Sequence, residues 1–168
     1  MKNFVSQKGT TIVELLLYMG ILSILLGVLT SIFVSALDVQ AESQATSSVE
    51  RDGNYILARL NYDIHRAQSI NIPVVNGVTA SNFQIVINGV NYTYSVDGNN
   101  NLILANNLGV NNLNNYGTNI SAFSVERLGN AGKVEDTLKI NFTVTSRTQR
   151  VSGPETRNFQ TNLSLRRQ

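Results

Sequence analysis

From Leu15 to Leu37 the chain carries no charged side chain. This run of about 23 residues constrains the fold more than any other feature. At about 1.5 Å of rise per residue, a helix of that length crosses a hydrocarbon layer about 30 Å thick. Lys2 and Lys8 precede it; Asp38, Glu42, Glu50 and Asp52 follow it. Basic residues on the short side place Met1 to Gly9 in the cytoplasm and the bulk of the chain beyond the cytoplasmic membrane, as a single pass. One residue resists this description. Glu14 sits at the start of the apolar segment, and a carboxylate there is costly away from water. Insertion scales give about 2.5–3.5 kcal/mol for Asp at mid-depth, and less near the edge. A signal peptide has an apolar core of about 7–15 residues and a small-x-small cleavage site, and this run is longer. A plain signal anchor fits the length but gives Glu14 no partner.

The order of residues around Glu14 supplies one. Lys8-Gly9 is followed by Thr10, Thr11, Ile12, Val13, Glu14 and then the charge-free run. This resembles the N-terminal signal of type IV prepilins and pseudopilins, over about the first 40 residues. The resemblance implies that a prepilin peptidase cuts after Gly9 and that the new amine of Thr10 is methylated. It also implies that Glu14 pairs with such an amine of a neighbouring subunit during filament assembly. The physical chemistry is compatible. Gly9 lets a peptidase approach the backbone closely, and an amine and a carboxylate that meet in an apolar place offset each other's desolvation. Two positions depart from the family's commonest pattern: Thr10 stands where Phe is usual, and Ser31 where many major pilins carry proline.

Past Asp38 the sequence turns polar, but Ala45, Val49, Ile56, Leu60, Ile64 and Ala67 continue a helical stripe. Arg59 and Asp63 read as an i,i+4 charge pair on its polar side. Pro73 discourages continuation. One helix from about Thr10 to about Ile70 is expected, roughly 90 Å long. Gly53 weakens it locally by about 1 kcal/mol relative to Ala, and a bend is expected there.

The remainder reads as strands. Phe83, Ile85 and Ile87 alternate with more polar residues, and Asn88-Gly89 is a two-residue turn signal. On the return, Val90 faces Ile87, Tyr92 faces Ile85 and Tyr94 faces Phe83. Asp97-Gly98-Asn99 turns the chain into Leu102-Ile103-Leu104. Further strands are expected at about Ile120–Arg127, Thr137–Thr145 and Asn158–Arg166. Residues 106–119 are asparagine-rich; they read as a loop anchored by Leu108, Val110, Leu113 and Tyr116, in preference to a prion-like tract. Arg147–Glu155, with Gly153-Pro154, reads as an exposed hairpin loop. The expected class is α+β: a long helix packed on an antiparallel β-sheet head, the lollipop shape of pilins. Its parts are a cleaved leader (1–9), a transmembrane and filament-core helix (10–37), an amphipathic continuation (38–72) and a β-rich head (73–168).

Several chemistries find no residues. Cysteine is absent, and His65 is the single histidine. A catalytic triad, a thiolate site or a multi-histidine metal site therefore has no foundation. His65 reads as a polar helix residue near the head. Asp97, Asn99 and Asn101 begin like a calcium loop, but Leu102 and Leu108 stand where glycine and glutamate are needed. Four N-x-Ser/Thr matches, at Asn91, Asn119, Asn141 and Asn162, are incidental in an asparagine-rich chain. Removing Lys2 and Lys8 from the 13 basic side chains leaves 11, equal to the 11 acidic ones. Nucleic acid is thus not indicated by charge.

The expected function follows from the resemblance. It is a structural subunit of a type IV pilus or pseudopilus, not an enzyme, with no metal or cofactor. The β-rich head after a long helix resembles a minor pilin or minor pseudopilin more than a major one, and its lack of cysteine departs from the many pilins whose C-terminal region is closed by a disulfide. The implied partners are the prepilin peptidase/methyltransferase, other pilin subunits, the pilus assembly platform and cytoplasmic-membrane lipid. After assembly the location is an extracellular or periplasmic filament. The alternative is a membrane-anchored binding module, such as a tip adhesin or DNA-capture pilin.

Overall fold

The computed structural model describes residues 11–129 and 137–165. They divide into two compact units, with the boundary between Gln40 and Ala41. One helix, α1 (Ile12–Arg66), opens the chain. Up to Gln40 every described side chain on it is exposed. One window of α1 has a mean hydropathy of 2.4, so the helix is long and apolar enough to cross a membrane.

From Ala41 onward α1 is one-sided. Ala45, Val49, Ile56, Leu60 and Ile64 are buried, and Asp52, Gly53 and Asp63 lie on the same stripe. The helix stops at Arg66, short of the expected Ile70. Ala67 N–H donates to Ile64 C=O at 3.1 Å, and Gln68 N–H already donates to Val86 C=O at 2.8 Å. The residues that follow include β-branched Ile70 and Ile72, which favour an extended chain. They form β1 (Ser69–Ile72), which pairs with β3 and buries Ile70.

Helix followed by antiparallel strands gives the α+β order read from the sequence. The single expected sheet, however, is two. Beside β1, the first sheet contains β3 (Phe83–Ile87), β4 (Val90–Val96), β5 (Leu102–Asn106) and β6 (Gly109–Asn112), in the order β1-β3-β4-β5-β6. The second has β2 (Thr79–Ala80), β7 (Thr118–Leu128), β8 (Thr137–Ser146) and β9 (Thr156–Ser164), in the order β2-β7-β8-β9. The β3–β4 register is the one anticipated: Phe83 opposite Tyr94, Ile85 opposite Tyr92, Ile87 opposite Val90. Both turn residues have positive φ, 51° at Asn88 and 76° at Gly89, as that short turn requires.

One core serves both sheets. Val49, Ile56, Leu60 and Ile64 of α1 join Phe83, Ile85, Tyr94 and Leu102 of the first sheet and Ile120, Val125, Leu138 and Ile140 of the second. Gly53 belongs to this contact. A Cβ there would lie 2.1 Å from Cζ of Phe159, whose ring stacks on Phe142 at 5.4 Å. Glycine at this position admits the Phe159 ring against the helix backbone, and α1 runs through it without interruption.

The Arg59–Asp63 pair is not on a polar face. Asp63 is fully buried. Its Oδ2 accepts from Arg59 Nε at 2.7 Å and from the Tyr94 hydroxyl on β4. Burial pushes the Tyr94 pKa upward, and the bond to Asp63 pushes it the same way. Three turns earlier on the stripe, buried Asp52 accepts from Asn115 N–H at 2.9 Å and from Thr118 Oγ1 at 2.6 Å. The two carboxylates fasten α1 to different parts of the head. The acidic residues after the apolar run also act here. Glu50 pairs with Arg157, and Glu42 lies 3.8 Å from Arg150, which also binds Glu155 at 3.1 Å. Arg150 is largely covered, so the loop before β9 is tied to α1 at that residue.

Gly53→Ala should therefore destabilise the protein despite alanine's better helix propensity. The expected loss is about 1–2 kcal/mol, since overpacking costs about 1–3 and propensity returns about 1. In a Phe159→Ala background the same substitution should change sign and stabilise. Urea melts of the four chains measure both effects.

Candidate functional site

Glu14 sits in the first turn of α1. Thr11 stands just before the helix and caps it: its Oγ1 accepts from Glu14 N–H at 3.3 Å, and its C=O accepts from Leu15 N–H at 3.1 Å. A threonine three residues before a glutamate is a frequent way to open a helix. The Glu14 carboxylate does not turn back to the cap. Its Oε1 accepts from the Tyr18 hydroxyl at 3.0 Å, one turn further along the same face.

Three other polar side chains of the segment bond to its own backbone. Ser23 donates to Met19 C=O at 2.8 Å, Thr30 to Leu26 C=O at 2.8 Å and Ser35 to Ser31 C=O at 3.0 Å. Such bonds let hydroxyls sit in an apolar helix at little cost. Glu14 differs. A carboxylate has about four acceptor positions, and Tyr18 occupies one. Residues 11–40 contain no lysine, arginine or histidine. The helix segment has no counter-charge to offer.

Gly9 and Thr10, the expected cleavage and methylation positions, lie outside the described residues, as do Lys2 and Lys8. Of the sequence-derived site residues, the structure thus places Glu14. It adds two that the sequence reading missed, Thr11 and Tyr18. Their signals were present as Thr-x-x-Glu and as a Glu/Tyr pair at i,i+4 spacing.

The head holds the other candidates. His65 is exposed on α1. The Asp97 turn is closed by its own amides. Asp97 Oδ1 accepts from Asn101 N–H at 2.7 Å and Asn99 N–H at 2.9 Å, and Oδ2 from the Asn101 side chain at 3.2 Å. These bonds, with that from the Asn101 backbone foremost, hold the Asp97 pKa below its ordinary value. Both oxygens are occupied by donors, as in a tight turn. Among the described residues, no group of three or more His, Asp or Glu is placed to hold a metal ion.

The 106–119 segment departs from the expected loop. Gly109–Asn112 pairs with β5 as strand β6. Leu113 is buried, but Leu108, Val110 and Tyr116 are exposed and do not join the core. The anchor is polar. Buried Asn114 accepts from Leu102 N–H at 2.9 Å and donates to Thr118 C=O at 2.9 Å.

No known protein family, curated protein or solved structure matches this chain.

The Glu14–Tyr18 bond has a direct spectroscopic test. With the full-length protein in phospholipid vesicles and glutamate isotopically edited, Tyr18→Phe should shift the carboxyl infrared band of Glu14. The hydroxyl contributes about 1 kcal/mol to such a pair. An unmoved band would show that the two groups do not meet.

Proposed function

We propose that this chain is a structural subunit, of the minor kind, of a type IV pilus or pseudopilus. In this reading it enters the cytoplasmic membrane as a prepilin through the apolar half of α1. A prepilin peptidase removes residues 1–9, and the new amine at Thr10 is methylated. The assembly platform then extracts the subunit, and Glu14 meets the Thr10 amine of a neighbour.

The observation that carries the proposal is Glu14 itself. It stands on an apolar helix segment that lacks a cation, and among the described residues its carboxylate has one neutral donor. A carboxylate so placed is stable in an apolar filament core only with a positive partner from elsewhere. Thr10 becomes such a partner on cleavage. The step is one of assembly and involves no chemistry by this chain. Asp52 and Asp63 support the reading by contrast, because the head supplies both with donors.

Glu14→Gln keeps the shape and removes the charge. Membrane insertion and cleavage should persist, and mass spectrometry should find the N-terminus of the processed chain at Thr10. Incorporation into filaments should fall at least tenfold relative to the membrane-held pool. Breaking a buried pair costs about 3–5 kcal/mol, enough for that loss. Equal incorporation of both forms would defeat the pairing. A processed chain that begins elsewhere would defeat the prepilin reading.

A further inference from the structure

The asparagine-rich segment forms one wall of a half-open cleft of about 440 Å³ on the head. Asn99, Asn101, Asn112, Asn114, Tyr116 and Arg147 line it. That volume falls within the range of small-molecule sites. The floor is rigid. Asn114 is buried and binds Leu102 N–H, Thr118 C=O and the Asn101 side chain. Asn101 is held in turn by Asp97.

The rim is different. Tyr116 is 86% exposed, the most open tyrosine of the described residues. Its ring is not loose: the Arg147 guanidinium lies 5.3 Å from its centre. Arg147 is itself fixed by Asn119 Oδ1 at 2.7 Å and Asn99 C=O at 3.1 Å. A cation–π contact with a hydrogen-bonded arginine orients an otherwise unsupported aromatic face. Beside it, the side-chain amides of Asn99 and Asn112 are exposed and bond to no other described residue.

We infer that this cleft binds a neutral sugar residue of a glycan, stacked by its apolar face on Tyr116 with its hydroxyls on the amides of Asn99 and Asn112. The chemistry of the wall selects this class. Each amide offers donors and an acceptor side by side, which suits neighbouring hydroxyls that both give and take hydrogen bonds. An aromatic face suits the C–H face of a pyranose. Charge selects against the rivals. Arg147 is the one cation of the lining; its hydrogen bonds and the nearby Asp97 carboxylate offset it. A nucleic acid strand would need a run of cations, and the lining has none. The site does not depend on filament assembly.

The test uses the full-length protein in micelles of an amine-oxide detergent, which has no sugar headgroup. The probes are the methyl glycosides of glucose, galactose, N-acetylglucosamine and glucuronic acid, and a single-stranded oligonucleotide. Saturation-transfer NMR should show one face of a neutral pyranose receiving magnetisation, with millimolar affinity. Tyr116→Ala should weaken it at least about tenfold, and Tyr116→Phe should retain it, because the ring and not the hydroxyl makes the contact. Tyr116 is exposed, so neither change should disturb folding, and circular dichroism of both variants checks this. Transfer to none of the neutral sugars overturns the inference. So does transfer that survives Tyr116→Ala, or binding of the oligonucleotide or glucuronide alone.

Discussion

A carboxylate removed from water must find donors, and three carboxylates on one helix set the terms for this protein. Asp52 and Asp63 lie on the buried stripe of α1: Asp52 finds Thr118 and Asn115 in the head, and Asp63 finds Tyr94 in the head and Arg59 on α1 itself, all through one oxygen. Glu14 lies on the apolar half and finds, among the described residues, a single tyrosine hydroxyl. The first two are structural fastenings. Each of these two also has an arginine beside it, Arg51 and Arg59, whereas the third lies in a segment that contains no cation. The proposed function rests on that difference.

The fastenings also explain how a lean core holds. Apolar side chains from α1 and both sheets meet in one cluster. Burial supplies the bulk of the stabilisation, without direction. Direction comes from the polar contacts. Asp63 fixes α1 against β4, Asp52 fixes it against the segment leading into β7, and Gly53 sets how closely Phe159 approaches. Each is intolerant of change in its own way, because an unpartnered buried carboxylate or an extra methyl against a stacked ring has nowhere to relax.

Much of this was legible in the sequence where one periodicity ruled. The stripe on α1 and the β3–β4 register follow from apolar spacing alone. The misreadings occurred where local signals competed with tertiary demand. Asp63 looked solvent-facing because it pairs with Arg59 at helical spacing; in fact Tyr94, remote in sequence, draws it inward. Gly53 looked like a weakness in the helix because Phe159 is more than a hundred residues away. In β7 the register shifts between Ser121 and Ser124, with Ala122 at a φ of 51°, so Ile120, Phe123 and Val125 all face the core despite their broken alternation. The division into two sheets depends on such long-range pairing, and no short motif announces it. In the candidate site, Glu14 stood out as an isolated charge. Thr11 and Tyr18 did not, because a hydroxyl in an apolar helix ordinarily bonds to its own backbone.

In the proposed filament, Glu14 touches the Thr10 amine of a neighbouring subunit. The most direct measurement is zero-length coupling of assembled filaments with a hydrophobic carbodiimide, followed by peptide mass mapping. The proposed pairing predicts an amide joining the Glu14 side chain to the terminal nitrogen of Thr10, found in filaments and absent from membrane-held subunits. Glu14 modified by the reagent but joined to no Thr10 amine, or joined to a lysine of the head, would contradict it.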